Sequence, residues 1–220
     1  MKILGIESTQ QQGSVALLDK GAIVVELTLG NEARSASLLA PGIRQVLNEA
    51  GWQPDTLERI AVTVGPGSFT GLRVGVTTAK ALAYALGIDV IGVNTLAVLA
   101  AQAGHDGLVE AIMDAQRNEL FCQRFQVAQG QVQPLDEIHI EDDERWCQTL
   151  SEDVIITGPV LEKLADGLAP SMQLADRETW IPQAVTVARL GMLQNPTGTA
   201  FELVPEYYRK SAAQEKRDSC

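Results

Sequence analysis

The residues best placed to do chemistry run from Gly65 to Gly75, Gly-Pro-Gly-Ser-Phe-Thr-Gly-Leu-Arg-Val-Gly. Gly65 and Gly67 permit backbone geometry closed to other residues, and Ser68 is a natural cap for free helix N–H groups. A helix terminus built this way can receive an anion, so phosphate binding is the first chemistry to test. The familiar phosphate motifs fail. A Walker loop needs a Gly-Lys pair, which the chain lacks, and the dinucleotide pattern needs glycine where Thr70 stands. A hydrolase elbow around Ser68 would need glycine in place of Pro66 and Thr70. A tight strand-to-helix turn with a good cap explains the same residues without a ligand.

Glu7-Ser8-Thr9, closing the first apolar run, offers an acid and two hydroxyls of the kind that orient metal and phosphates in two-domain ATP clamps. Gln10-Gln11-Gln12-Gly13 follows, without the cation or second acid that such a clamp favours. A polar hairpin is the alternative. Asp114 and Glu119 flank Ala-Gln-Arg-Asn between two strand patterns, either a metal or acid/base pair or, more commonly, the polar turn of a hairpin. Cys122, Cys147 and Cys220 are odd in number and form no Cys-x-x-Cys pair, which excludes a disulfide framework and a zinc ribbon. Cys122 lies in a strand pattern and reads as a small buried hydrophobe. Only His105 and His139 are available, so a metal site with several histidine ligands is arithmetically excluded.

The elements that must position these groups follow from periodicity. Apolar runs at 2–7, 14–18 and 23–27 read as strands, the last two joined by Asp19-Lys20-Gly21. Leu38, Leu39, Ile43, Val46, Leu47 and Ala50 recur at helical spacing, with Pro41 inside and Gly51 at the C-cap. A strand at 60–64, a long helix over 68–86, a strand at 90–93 and a helix over 95–103 complete the first half. This grammar predicts an α/β domain with a mixed sheet. A small, polar stretch around Gly104 marks a boundary between 1–104 and 105–220. The second half restarts with strands at 108–113, 120–127 and 131–140. A helix over 143–150, a strand at 154–157 and helices over 160–168 and 183–193 follow. Two halves with one grammar predict a duplicated fold, with a frayed tail from about 211.

On the long helix, Gly71, Gly75, Ala79, Ala83 and Gly87 recur every four residues, leaving one ridge almost bare. Glycine inside a helix costs about 0.5–1 kcal/mol relative to alanine, so this face needs a packing reason. Its partner is either a helix of the same chain or a helix of another protein, with Leu38, Leu39 and Ile43 as natural companions.

The 220-residue chain carries 28 acidic and 17 basic side chains, a formal charge of −11. A polyanion binder presents a basic face, so any nucleic acid must reach this protein through a partner. Hydrophobic residues at 45% exclude bulk disorder, and no apolar run is long enough to span a membrane. The first seven residues already include Glu7, unlike the apolar core of a signal peptide, so a soluble cytoplasmic chain is expected.

The chain resembles the TsaB family, also called YeaZ, of the bacterial threonylcarbamoyladenosine machinery. The matching segments are Ile3–Thr9, Gly65–Gly75 with Ala79-Lys80-Ala81-Leu82-Ala83, Ile91–Leu96, Ile112–Glu119 and Pro205-Glu206-Tyr207-Tyr208-Arg209. The resemblance implies an actin-like ATPase (ASKHA) fold of two RNase H-like lobes, each a mixed sheet with flanking helices. It also implies a non-catalytic dimerisation subunit for a TsaD-like transferase, which carries the His-x-x-x-His metal site absent here. A TsaE-like ATPase would join the complex, and tRNA would be contacted only indirectly. Leu38, Leu39, Ile43, Gly71, Gly75, Ala79 and Ala83 then become the expected partner face. No catalytic residue, metal or cofactor is expected in this chain. Glu7, Ser8, Thr9, Gly65, Gly67 and Ser68 remain the candidates for facing a phosphate. Ala33-Arg34-Ser35-Ala36-Ser37 stands where relatives often carry a histidine. The rival expectations are an ATP-clamping or peptidase-like enzyme and a homodimeric binding module.

Overall fold

The computed structural model describes residues 1–30, 35–196 and 198–209. The expected tail from 211 and the Ala33-Arg34 pair lie outside the described residues. In the first half, β1 (Lys2–Glu7), β2 (Ser14–Asp19) and β3 (Ala22–Thr28) form an antiparallel meander. Helix α1 (Ser35–Glu49), β4 (Arg59–Gly65), α2 (Phe69–Leu86), β5 (Asp89–Asn94) and α3 (Thr95–Gln102) follow. The sheet order is β3-β2-β1-β4-β5, with β1, β4 and β5 parallel.

The second half comprises β6 (Gly107–Gln116), β7 (Glu119–Ala128), β8 (Gln131–Pro134), β9 (His139–Asp142) and α4 (Asp143–Thr149). Then come β10 (Ile155–Thr157), α5 (Leu161–Leu164), β11 (Gln173–Leu174) and α6 (Ala184–Leu193). Read from the meander edge, its sheet runs β8-β7-β6-β10-β11, the order of the first sheet, with β9 added beside β7. The duplicated α/β architecture is therefore present. The single strand expected at 131–140 is instead two, β8 and β9, both paired to β7. Pro134, without an N–H to donate, ends the first of them.

On either side of residue 104 the lobes share helices across their junction. Leu96, Leu99 and Ala100 of α3 belong to the core of the second lobe. Ala184, Val187 and Ala188 of α6 pack with Ile3, Ala16 and Ala61 of the first sheet. That packing is tight: a Cβ on Gly5 would strike the Ala184 carbonyl, and one on Gly191 would strike Ala61. The opposite face of the first sheet is covered by α1 and α2, whose Leu39, Ile43, Val46, Ala79 and Ala83 pack on Leu4, Ile6 and Val62. Among the described residues no helix is long and apolar enough to cross a membrane.

Candidate functional site

Strand β4 delivers the glycine loop to the end of the sheet, where β1 delivers Glu7, Ser8 and Thr9. Gly65 and Gly67 have φ of 142° and 155°, so both glycines are required by the backbone. Ser68 caps α2 as its residue type predicts, accepting from the Gly71 N–H at 3.3 Å. Its own N–H donates to the Thr9 carbonyl at 2.9 Å, and the Ser8 hydroxyl donates to the Gly71 carbonyl at 2.9 Å. The six candidate residues therefore converge, with Thr9 packed on Gly67 and bonded to Ser68.

Glu7 is fully buried. One carboxylate oxygen accepts from both the N–H (2.7 Å) and the hydroxyl of Thr9, and the other has no partner. Burial pushes the Glu7 carboxyl up to about 7, against the lowering effect of the Thr9 hydrogen bonds.

An actin-like fold raises the question of a nucleotide, and these residues do not fit its phosphates. The space beside Gly67 is filled by the Thr9 side chain, and that beside Gly65 by the main chain of Glu206. The Glu206 N–H donates to the Val64 carbonyl at 2.8 Å, which binds this covering segment to β4. Glu7 adds an acid where an anion would need a donor. The loop is closed by its own chain.

The bare ridge of α2 points inward. Gly71, Gly75, Ala79 and Ala83 are all buried, as are Leu39 and Ile43 of α1; Leu38 is half-buried. A Cβ on Gly71 would meet the Ser8 carbonyl, and one on Gly75 the Ser8 hydroxyl. Of the seven residues expected to form a partner surface, six are thus buried within this chain, where they seat the two helices on their own sheet, and only Leu38 is partly open. The exposed face of α2 carries Thr70, Thr77, Ala81 and Ala85 beside the larger Arg73 and Tyr84, and that of α1 carries Ala40, Pro41 and Arg44. Those α2 residues also recur at helical spacing, so periodicity alone does not say which stripe of α2 faces outward.

The Asp114–Glu119 segment is the turn of the β6–β7 hairpin. Gln116, Arg117 and Asn118 have φ of 68°, 61° and 59°, an unusual left-handed run for non-glycine residues. Its acids are divided between partners: Asp114 pairs with Lys163 at 3.2 Å and Glu119 with Arg209 at 2.7 Å. Among the described residues no group of three or more His, Cys, Asp or Glu is arranged to hold a metal. Cys122 is buried, which pushes its thiol up and away from thiolate chemistry.

Sequence reasoning missed two polar assemblies. Buried Glu110 accepts from the Trp146 indole at 2.6 Å and from Arg124 at 2.8 Å. The segment around Tyr207 also lies across both lobes. Neither shows in local patterning, because each joins residues distant in the chain.

Over residues 31–175 the chain matches the family model described as TsaD: tRNA N6-adenosine threonylcarbamoyltransferase. It is 30% identical to the tRNA threonylcarbamoyladenosine biosynthesis protein TsaB of Bacillus subtilis strain 168, across 98% of this chain and 97% of that one. The Escherichia coli K12 protein of the same name is 26% identical, covering 98% of each. Among solved structures, a Pseudomonas aeruginosa protein described as similar to peptidase YEAZ superposes with a TM-score of 0.81 and 25% identity, covering 94% of this chain and 99% of that one. The activator of 2-hydroxyisocaproyl-CoA dehydratase from Clostridium difficile, with bound ADPNP, aligns at a TM-score of 0.51 and 11% identity over 100% and 98% of the two chains, a likeness of fold alone.

Proposed function

This chain belongs to the TsaB (YeaZ) family, and from that premise we propose that it works in threonylcarbamoyladenosine biosynthesis as a non-catalytic subunit supporting a TsaD-like transferase. The observation that carries this reading is the helix pair α1–α2. The two helices lie side by side on one face of the first sheet, with small residues outward at Thr77, Ala81 and Ala85. Both fall inside the segment that matches the TsaD family model, so a TsaD-like partner has a counterpart pair to pack against them. Small side chains let helices approach closely, as in a four-helix bundle.

The mechanism is stabilisation by mass action: a subunit that binds the working conformation of its partner raises that population. Glu7, Ser8 and Thr9 then serve as packing around α2. A TsaE-like ATPase is the proposed third member, and the charge of −11 leaves tRNA contact to the other subunits.

The test is to mix the chain with its cognate TsaD-like protein and follow mass by size-exclusion chromatography with light scattering. MgATP binding by each chain alone is measured as a control. A heterodimer, with no nucleotide held by this chain alone, is the expected result. A stoichiometric nucleotide site on the isolated chain, or failure to form the complex, overturns the reading. A homodimer that persists in the presence of the partner would favour the self-associating module instead.

A further inference from the structure

The Pro205–Arg209 motif takes no part in the function proposed above, and its placement is unusual. After α6 the chain returns across α2. The Phe201 ring meets Tyr84 edge-on at 5.0 Å, and its carbonyl accepts from Lys80 at 2.9 Å. Leu203 packs over Gly92, and Glu206 is hydrogen-bonded to Val64. Tyr207 then stacks on Phe69 with ring centroids 4.4 Å apart, and its hydroxyl accepts from Arg73 at 3.1 Å. Every one of these contacts is to the first lobe.

The next two residues bind the second lobe. The Tyr208 ring lies edge-on to Phe121 at 6.4 Å. Arg209 donates to the carbonyls of Ala115 and Gln116 and pairs with Glu119 at 2.7 Å. Those three residues sit at the left-handed turn of the β6–β7 hairpin. The Tyr208 hydroxyl donates back to Glu206 at 2.6 Å, which stiffens the crossing.

We propose that Leu203–Arg209 is an interlobe clasp, anchored by Tyr207 on the first lobe and by Tyr208 and Arg209 on the second, that fixes the angle between the lobes without a ligand. The geometric reason is the absence of slack. Adjacent Cα atoms are about 3.8 Å apart, so lobes held by neighbouring residues cannot separate there unless one anchor breaks. Arg209 is suited to the second anchor, because its charged Nη1 lies among the Ala115 and Gln116 carbonyls and the Glu119 carboxylate. The chain is then a body of fixed lobe angle that does not respond to nucleotide.

The clasp is tested with spin labels on cysteines at Ala85→Cys and Gln133→Cys, one in each lobe. The background is Cys147→Ser and Cys220→Ser, and the distance distribution is read by pulsed dipolar spectroscopy. The otherwise native chain should give one narrow distance that MgATP leaves unchanged. The Tyr208→Ala/Arg209→Ala variant should at least double its width while circular dichroism stays the same. An unchanged width in that variant overturns the clasp, and so does a native distance that is broad or moves with MgATP. Should the double variant lose its fold, Arg209→Gln alone, with both tyrosines kept, is read the same way.

Discussion

Ser8 and Gly71 hold the first strand against the long helix: the Ser8 hydroxyl donates to the Gly71 carbonyl at 2.9 Å, and the Ser8 carbonyl occupies the space a Gly71 side chain would need. The spacing of glycines along α2 is thus explained within one chain. A residue with a Cβ at position 71 must push the helix off the sheet.

Gly71→Ala is therefore expected to cost about 3 kcal/mol or more, because the clash is with main chain that cannot rotate away. Gly51→Ala provides the comparison. Gly51 has φ of 64° with nothing near its Cβ, so only about 1 kcal/mol of backbone strain is at stake. Urea denaturation of both variants checks this, and a Gly71→Ala chain as stable as the native one would contradict an inward ridge.

Ala81→Arg tests the outer face of the same helix. Ala81 is exposed, so the melting temperature should move little. If α1–α2 is the partner face, affinity for the TsaD-like subunit should fall at least tenfold by titration calorimetry. Undiminished affinity would send the search for the interface elsewhere.

Glu7→Gln tests the buried carboxyl through pH. Burial raises the Glu7 carboxyl from 4.5 to about 7 in the folded chain, so folding takes up a proton between those values. The stability this provides is complete below about 4.5 and is lost as pH rises through about 7. Glutamine keeps an acceptor for Thr9 without the charge. The variant should be the more stable by about 1–3 kcal/mol at pH 8, with the advantage vanishing toward pH 5. Parallel pH curves for variant and native chain would mean that Glu7 is ionised throughout.

Trp146→Phe removes the indole N–H from buried Glu110 and leaves the Arg124 pair in place. The unsatisfied carboxylate oxygen should cost about 1–3 kcal/mol in chemical denaturation. A loss below 0.5 kcal/mol, roughly the scatter of neutral substitutions, would show that water replaces the indole.

Much of this architecture is legible in local pattern. The meander Lys2–Thr28 announces itself through three apolar runs with turn residues between them, and Ser68 marks the start of α2 one residue before the helix begins. Both are short-range effects: alternation, capping and turn geometry act within a few residues. The break between β8 and β9 is hidden in local pattern, because apolar residues continue past Pro134 at Leu135, Ile138 and Ile140.

The amino-acid order alone determined that this is a duplicated α/β chain, rich in acid and without the ligand spacing of a histidine metal site. The tertiary structure decided which way each face turned. Periodicity shows that α2 has a bare ridge and an outer stripe, but both recur every three to four residues, so the ridge's neighbour emerges only when β1 brings Ser8 against Gly71. The exchange of α3 and α6 and the crossing of Tyr207 and Tyr208 between lobes join residues up to 180 or so positions apart. Such contacts depend on packed shape and closed loops, which local propensity does not encode.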